Sequence, residues 1–176
     1  MGVRVCRAWQ ARGNRAMGAL MVLALNCSAA SAQGTCPLAG ALYEQDSSGY
    51  TLRFGPKPSY DGASESFAVA APDFKRPLTG SVGWSDRLDR TLGRLTLDCP
   101  LSPTKAELDA CTLWTGVLYA VYADGEVRLL PEPGDPAPQS LLLPDFARSL
   151  LANSSSTGFS TEEIAWDAFT LVECAS

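Results

Sequence analysis

Histidine is absent from all 176 residues. That absence closes Ser-His-Asp and Cys-His catalysis, His-ligated metal sites and imidazole pH switching, since each needs a side chain that exchanges a proton near neutrality or offers a neutral nitrogen. No C-x-x-C pair, Walker A sequence or dinucleotide fingerprint occurs, so the common thiol-redox and nucleotide-phosphate sites are excluded as well. Gly83-Trp84-Ser85-Asp86-Arg87 approaches a nucleophile elbow but lacks the second glycine of G-x-S-x-G and any histidine to activate its serine. EF-hand spacing is missing, and the acids near loops therefore carry no calcium signature. The sequence implies neither a cofactor nor a metal.

Long apolar runs are scarce too. The clearest, residues 16–25 (AMGALMVLAL), is about half the ~20 residues a membrane-crossing helix needs, and Asn26 interrupts it. It follows Arg4, Arg7, Arg12 and Arg15, a basic stretch without an acid, and precedes the small residues Ala30-Ser31-Ala32. This order predicts a cleavable secretory signal over residues 1–32, a new N-terminus at Gln33 and no membrane span after cleavage. A lipid-bearing Cys27 fits poorly, because Asn26 stands where a lipobox requires a small residue.

Removing such a leader changes the electrostatics. All 19 acidic residues follow residue 32 and four of the 14 basic ones precede it, so a net charge of −5 becomes ten basic against nineteen acidic, or −9. That surface repels phosphate backbones and argues against nucleic-acid binding. Residues 33–176 suit a single domain. Eleven Arg against three Lys, a lone Ile164 and abundant Ala, Gly, Pro and Leu are the bias of a GC-rich bacterial genome, which sets the expected destination as periplasm or medium.

Four cysteines remain after the leader: Cys36, Cys99, Cys111 and Cys174. An even set in an oxidising compartment argues for two disulfides, for which three connectivities exist. Cys99–Cys111 is favoured because CPLSPTKAELDAC is a short polar excursion between two strand-like runs, and Cys36–Cys174 then joins the ends of the domain.

Most of residues 33–176 reads as short strands. Tyr50, Leu52 and Phe54 alternate with Thr51 and Arg53, and Phe67 and Val69 resume the alternation after GPKPSYDGAS. Residues 78–85 and 91–98 pair across a loop at 86–90; helical spacing of Leu88, Leu92 and Leu95 is outweighed by Gly80, Gly83 and Gly93. Residues 115–123 predict a central strand, Asp124-Gly125 a tight turn and residues 126–130 the return. PEPGDPAP (131–138) reads as an extended surface loop, residues 144–152 as one helix, NSSSTG (153–158) as a flexible loop and residues 168–172 as a last strand. The fold class is mainly β: a small sandwich or open barrel with one packed helix, held by disulfides.

The stretches WSDRLDRTLGRLTLDCP (84–100) and LLPEPGDPAPQSLLLPDFARSLL (129–151) resemble small exported proteobacterial proteins of unassigned function. The resemblance implies bacterial export and a cysteine pair spanning a short insert. It implies no activity and no catalytic residue.

Carboxylate chemistry stays open in the absence of histidine. Asp86, Asp89, Asp98, Glu162 and Glu163 are available as a glycosidase pair. Asp86 and Asp89 alternate with Arg87 and Arg90 as a solvated loop would, however, and Glu162-Glu163 follow Ser160-Thr161 as in a helix start. Trp84, Trp114, Tyr119, Tyr122 and Trp166 lie on or beside predicted strands, where such rings stack on sugars, anchor a partner or fill the core. Tyr119 and Tyr122 fall on opposite faces of their strand. The functional expectation is an exported, non-catalytic binding or envelope-accessory module whose partner is an envelope protein or a glycan. The competing class is a carboxylate-dependent glycan hydrolase.

Overall fold

Alternating apolar residues build ten strands in a computed structural model that describes residues 36–56, 63–157 and 165–174. The strands are β1 (Leu42–Glu44), β2 (Thr51–Phe54), β3 (Glu65–Ala70), β4 (Leu78–Ser85), β5 (Arg90–Thr96), β6 (Thr112–Gly116), β7 (Tyr119–Val121), β8 (Val127–Leu129), β9 (Ser140–Leu142) and β10 (Ala168–Glu173). Two helices join them, α1 (Lys105–Cys111) and α2 (Phe146–Thr157). One sheet in the order β6-β5-β4-β3-β2-β1-β10-β9-β7-β8 contains every strand, each pairing antiparallel. The fold is thus mainly β, an open half-barrel rather than a sandwich.

Chain continuity forces the curl. β6 and β7 stand eight positions apart in the sheet, which in a flat sheet is about 38 Å at ~4.8 Å per strand. Only Val117 and Leu118 separate them in sequence, and the three Cα steps from Gly116 to Tyr119 span at most about 11 Å. The sheet must therefore bend back on itself. The expected single strand over 115–123 is split for the same reason: its first part pairs with β5, its second with β9 and β8.

The inner face follows the period-two reading. Leu52, Phe54, Phe67, Val69, Leu78, Val82 and Leu95 are buried, with Tyr43, Trp114 and Phe169 on neighbouring strands. Inward glycines make room for the large rings: a Cβ on Gly116 would meet Trp114 Cζ2 at 2.6 Å, and one on Gly80 would strike the Phe67 ring. Phe146, the first residue of α2, packs edge-on against Tyr50, Trp114 and Phe169 with ring centroids 6.3, 6.3 and 5.6 Å away.

Both helices differ from expectation. α2 runs through 153–157, where a flexible loop was predicted, because Asn153 bonds within and beyond the helix. Its amide donates to Ser149 O at 3.0 Å and to Leu113 O on β6 at 2.9 Å. Asp145, an acid at the expected start of this helix, sits just outside it at φ 58° and does not cap its first turn. Asp167 serves instead, accepting from the backbone N–H groups of Asp145 (3.0 Å) and Ala147 (3.3 Å). α1 was not expected at all. Within the polar excursion, Thr104 and Glu107 form a reciprocal capping box, a T-x-x-E signal hidden by the shortness of the segment.

Cys99–Cys111 closes over α1 and Cys36–Cys174 joins the two ends of the described chain, with Cα–Cα distances of 5.4 and 5.3 Å. Both disulfides suggest an oxidising, non-cytoplasmic environment. Among the described residues no helix is long and apolar enough to cross a membrane. The proline-rich loop lies at the surface as expected, yet it is stitched down. Leu38 N donates to Asp135 O (3.0 Å), Ala39 N to Pro133 O (3.1 Å) and Ala137 N to Cys36 O (2.7 Å).

Candidate binding face

Side chains that alternate inward along the barrel leave the others outward, and the outward set differs around the sheet. Across β8, β7, β9 and β10 the register aligns Leu129, Tyr119, Leu142 and Ala168 in one row. Val127, Val121, Ser140 and Thr170 form the next. No outward position in these two rows carries a charge. Inward neighbours confirm the facing, since Ala120, Leu141 and Phe169 are all fully buried. Val127, Leu129 and Val172 expose 55%, 37% and 51% of their surface, more than scattered single apolar residues would explain in so small an area.

Charge returns at the border. β1 carries outward Glu44, and Arg53 on β2 reaches Glu173 at the end of β10 in an ion pair of 3.5 Å. An uncharged centre with a charged margin is the layout of a protein-contact surface.

Trp166 continues the outward series Ala168, Thr170, Val172 just before β10 and is 61% exposed. Its side chain is largely exposed while its backbone is fixed. The buried Gln45 accepts from Trp166 N–H (2.9 Å) and donates to Trp166 C=O (2.5 Å), and Ser48 Oγ donates to the same Gln45 oxygen at 2.6 Å. A Gln side chain therefore acts as a short stretch of partner strand, holding the backbone that carries the exposed indole.

Tyr119 and Trp166 thus share the outward face. The remaining three predicted aromatics do not join them. Trp114 is a core residue, buried beside Gly116, its indole N–H donating to Pro144 O at 3.0 Å. Tyr122 shares the parity of buried Ala120, opposite to Tyr119, and carries the Arg128 guanidinium 4.8 Å from its ring centroid. Trp84 follows Leu78, Gly80 and Val82 on the inner side of β4, but past the last buried ring, where it is 57% exposed opposite Thr91.

The three described candidate acids, Asp86, Asp89 and Asp98, are all exposed. Asp86 and Asp89 lie in the β4–β5 loop, Asp89 at φ 51°. Asp98 forms an ion pair with Arg76. Glu162 and Glu163 lie outside the described residues.

Three buried polar residues among the described ones, Gln45, Ser48 and Glu65, were missed in the sequence. Glu65 is 5% exposed at the start of β3, where the Ser64 hydroxyl donates to its carboxylate. Its place two residues before Phe67 and four before Val69 was the available signal, since period two puts all three inside. Gln45 carried no such signal, because it follows the three-residue β1 that the sequence did not reveal. Tyr43, also on β1, donates to Pro138 O at 3.1 Å; burial, and secondarily the nearby Tyr122, pushes its hydroxyl pKa far above the usual tyrosine value.

No family model, curated protein or solved structure matches the chain.

Proposed function

We propose that this protein is an exported, non-catalytic binding module of the bacterial envelope, periplasmic or secreted, that engages a partner protein through the outward face of β8, β7, β9 and β10. The observation that carries the reading is the uncharged double row on these four strands, bordered by Glu44, Arg53 and Glu173. Desolvating such a surface is cheap and its burial favourable, at about 25 cal/mol per Å² of apolar area. Trp166, its backbone held by Gln45, supplies a large exposed ring for contact. The leader read in residues 1–32 and the two disulfides support export.

Affinity capture from the envelope of a GC-rich proteobacterium tests the reading. The disulfide-bonded chain should retain a defined protein partner, and Tyr119→Lys with Leu129→Lys should lose it while keeping the same melting temperature. Retention on peptidoglycan that survives both substitutions, with no protein retained, would overturn it.

A further inference from the structure

β8 ends the sheet, with β7 as its partner strand and no further strand beyond it among the described residues. All three of its residues are exposed. Tyr122 N–H donates to Glu126 O at 3.0 Å, which fixes the hydrogen-bonding phase of the hairpin. In an antiparallel ladder bonded and non-bonded pairs alternate. Ala120–Arg128 is therefore the next bonded pair, and Val127 and Leu129 turn their N–H and C=O groups outward.

We infer that this edge pairs with the same edge of a second copy, antiparallel about a two-fold axis at Val127. The sequence of β8 selects the partner and the register. Glu126 and Arg128 carry opposite charges on the side of the strand away from Val127, and they already form an ion pair within the chain. Pairing Val127 with Val127 of the second copy sets Glu126 of each chain across from Arg128 of the other, twice by symmetry. A slip of one residue along each chain, centred on Arg128, would place two guanidiniums face to face. A further slip, centred on Leu129, would set Pro131, which has no N–H, against Val127 and leave the Val127 carbonyl without a donor. Only the first register satisfies both charge and hydrogen bonding. It also runs the uncharged outer rows of the two copies together into one surface, since a two-fold axis through the edge keeps them on the same side. The inference does not depend on what that surface binds.

Sedimentation velocity on the exported, disulfide-intact protein tests it. The wild type should pass from monomer to dimer with rising concentration, at twice the mass. Val127→Pro deletes an outward donor and no bond to β7, and should stay monomeric with an unchanged near-ultraviolet spectrum. Glu126→Arg should also stay monomeric, whereas Glu126→Arg with Arg128→Glu should restore the dimer. A wild type that is monomeric at every concentration overturns the inference, as does a dimer that survives Glu126→Arg. Failure of the double exchange to restore dimerisation overturns the register. Should Val127→Pro disturb the fold, the charge exchange decides alone.

Discussion

The two halves of the curled sheet are held by different means. On one side β3, β4 and β5 are six, eight and seven residues long and paired along nearly their whole length, as in Thr79–Thr96 through Ser85–Arg90. Their outward positions are Ser66, Ala68, Ala70, Thr79, Ser81, Gly83, Ser85, Arg90, Leu92, Arg94 and Thr96, mostly small, polar or charged. On the other side β7, β8 and β9 are three residues each, and their outward positions are mostly Val, Leu and Tyr. A three-residue ladder supplies few bonds, so this half is secured by tertiary fasteners: the Cys36–Cys174 bridge, the 36–39 segment on the proline-rich loop, Tyr43 on Pro138, Gln45 on Trp166 and Asp167 on α2. The lesson is that ladder length and surface chemistry vary together here. The half whose outward positions are uncharged and mostly apolar is secured inward and at its ends.

Breaking the fasteners should therefore cost more than breaking the long half's own bridge. Replacing Cys36 and Cys174 with Ser opens a loop with a sequence separation of 138, worth about 4–5 kcal/mol by the chain-entropy estimate. The same change at Cys99 and Cys111 opens a separation of only 12, worth about 3 kcal/mol. Denaturant midpoints of the two double variants should fall in that order; equal midpoints would dissolve the contrast.

Phe146→Ala should come next, at about 3–5 kcal/mol, because it empties the centre of the ring contacts to Tyr50, Trp114 and Phe169. Equilibrium unfolding measures it.

Gln45→Ala should cost about 1–2 kcal/mol globally and release Trp166 specifically. Hydrogen exchange at the Trp166 amide should accelerate while amides of β4 and β5 stay protected. If both halves loosen together, they are one cooperative unit and the distinction fails.

The smallest effect lies in the long half. The Thr104 backbone N–H, and secondarily its hydroxyl, hold Glu107 below its ordinary pKa of 4.5. A lowered carboxylate pKa contributes stability that is present above 4.5 and lost as the pH falls through the folded value. Chemical shifts of α1 should report that local loss in acid, and Glu107→Gln should remove the dependence with little change in melting temperature.

Much of the long half was legible because period two is a local property. Thr51–Phe54, Phe67–Val69 and the 78–85 strand all announce which side chains face inward, and so would Glu65. The Asp124-Gly125 turn was legible for a similar reason, as Gly125 sits at φ 83°, which favours glycine. The three-residue strands were harder. β1 is too short to show a period, and 115–123 read as one strand because nothing local marks the transfer from β5 to β9 between Gly116 and Tyr119. The pairing of Tyr119 with Trp166 on one face, and the removal of Trp114 to the core, depend on that transfer.

By itself, then, the sequence determined the β-rich class, the exclusion of histidine chemistry and the cysteine pairing it favoured. Each of these follows from composition or from spacing within a dozen or so residues, apart from Cys36–Cys174, which was left by elimination. Tertiary structure decided the curl, the Gln45 clamp, the Asp167 cap and the uncharged outer rows. These join residues such as Gln45 and Trp166, separated by 121 positions, and no local pattern encodes which distant strand edge a side chain will meet.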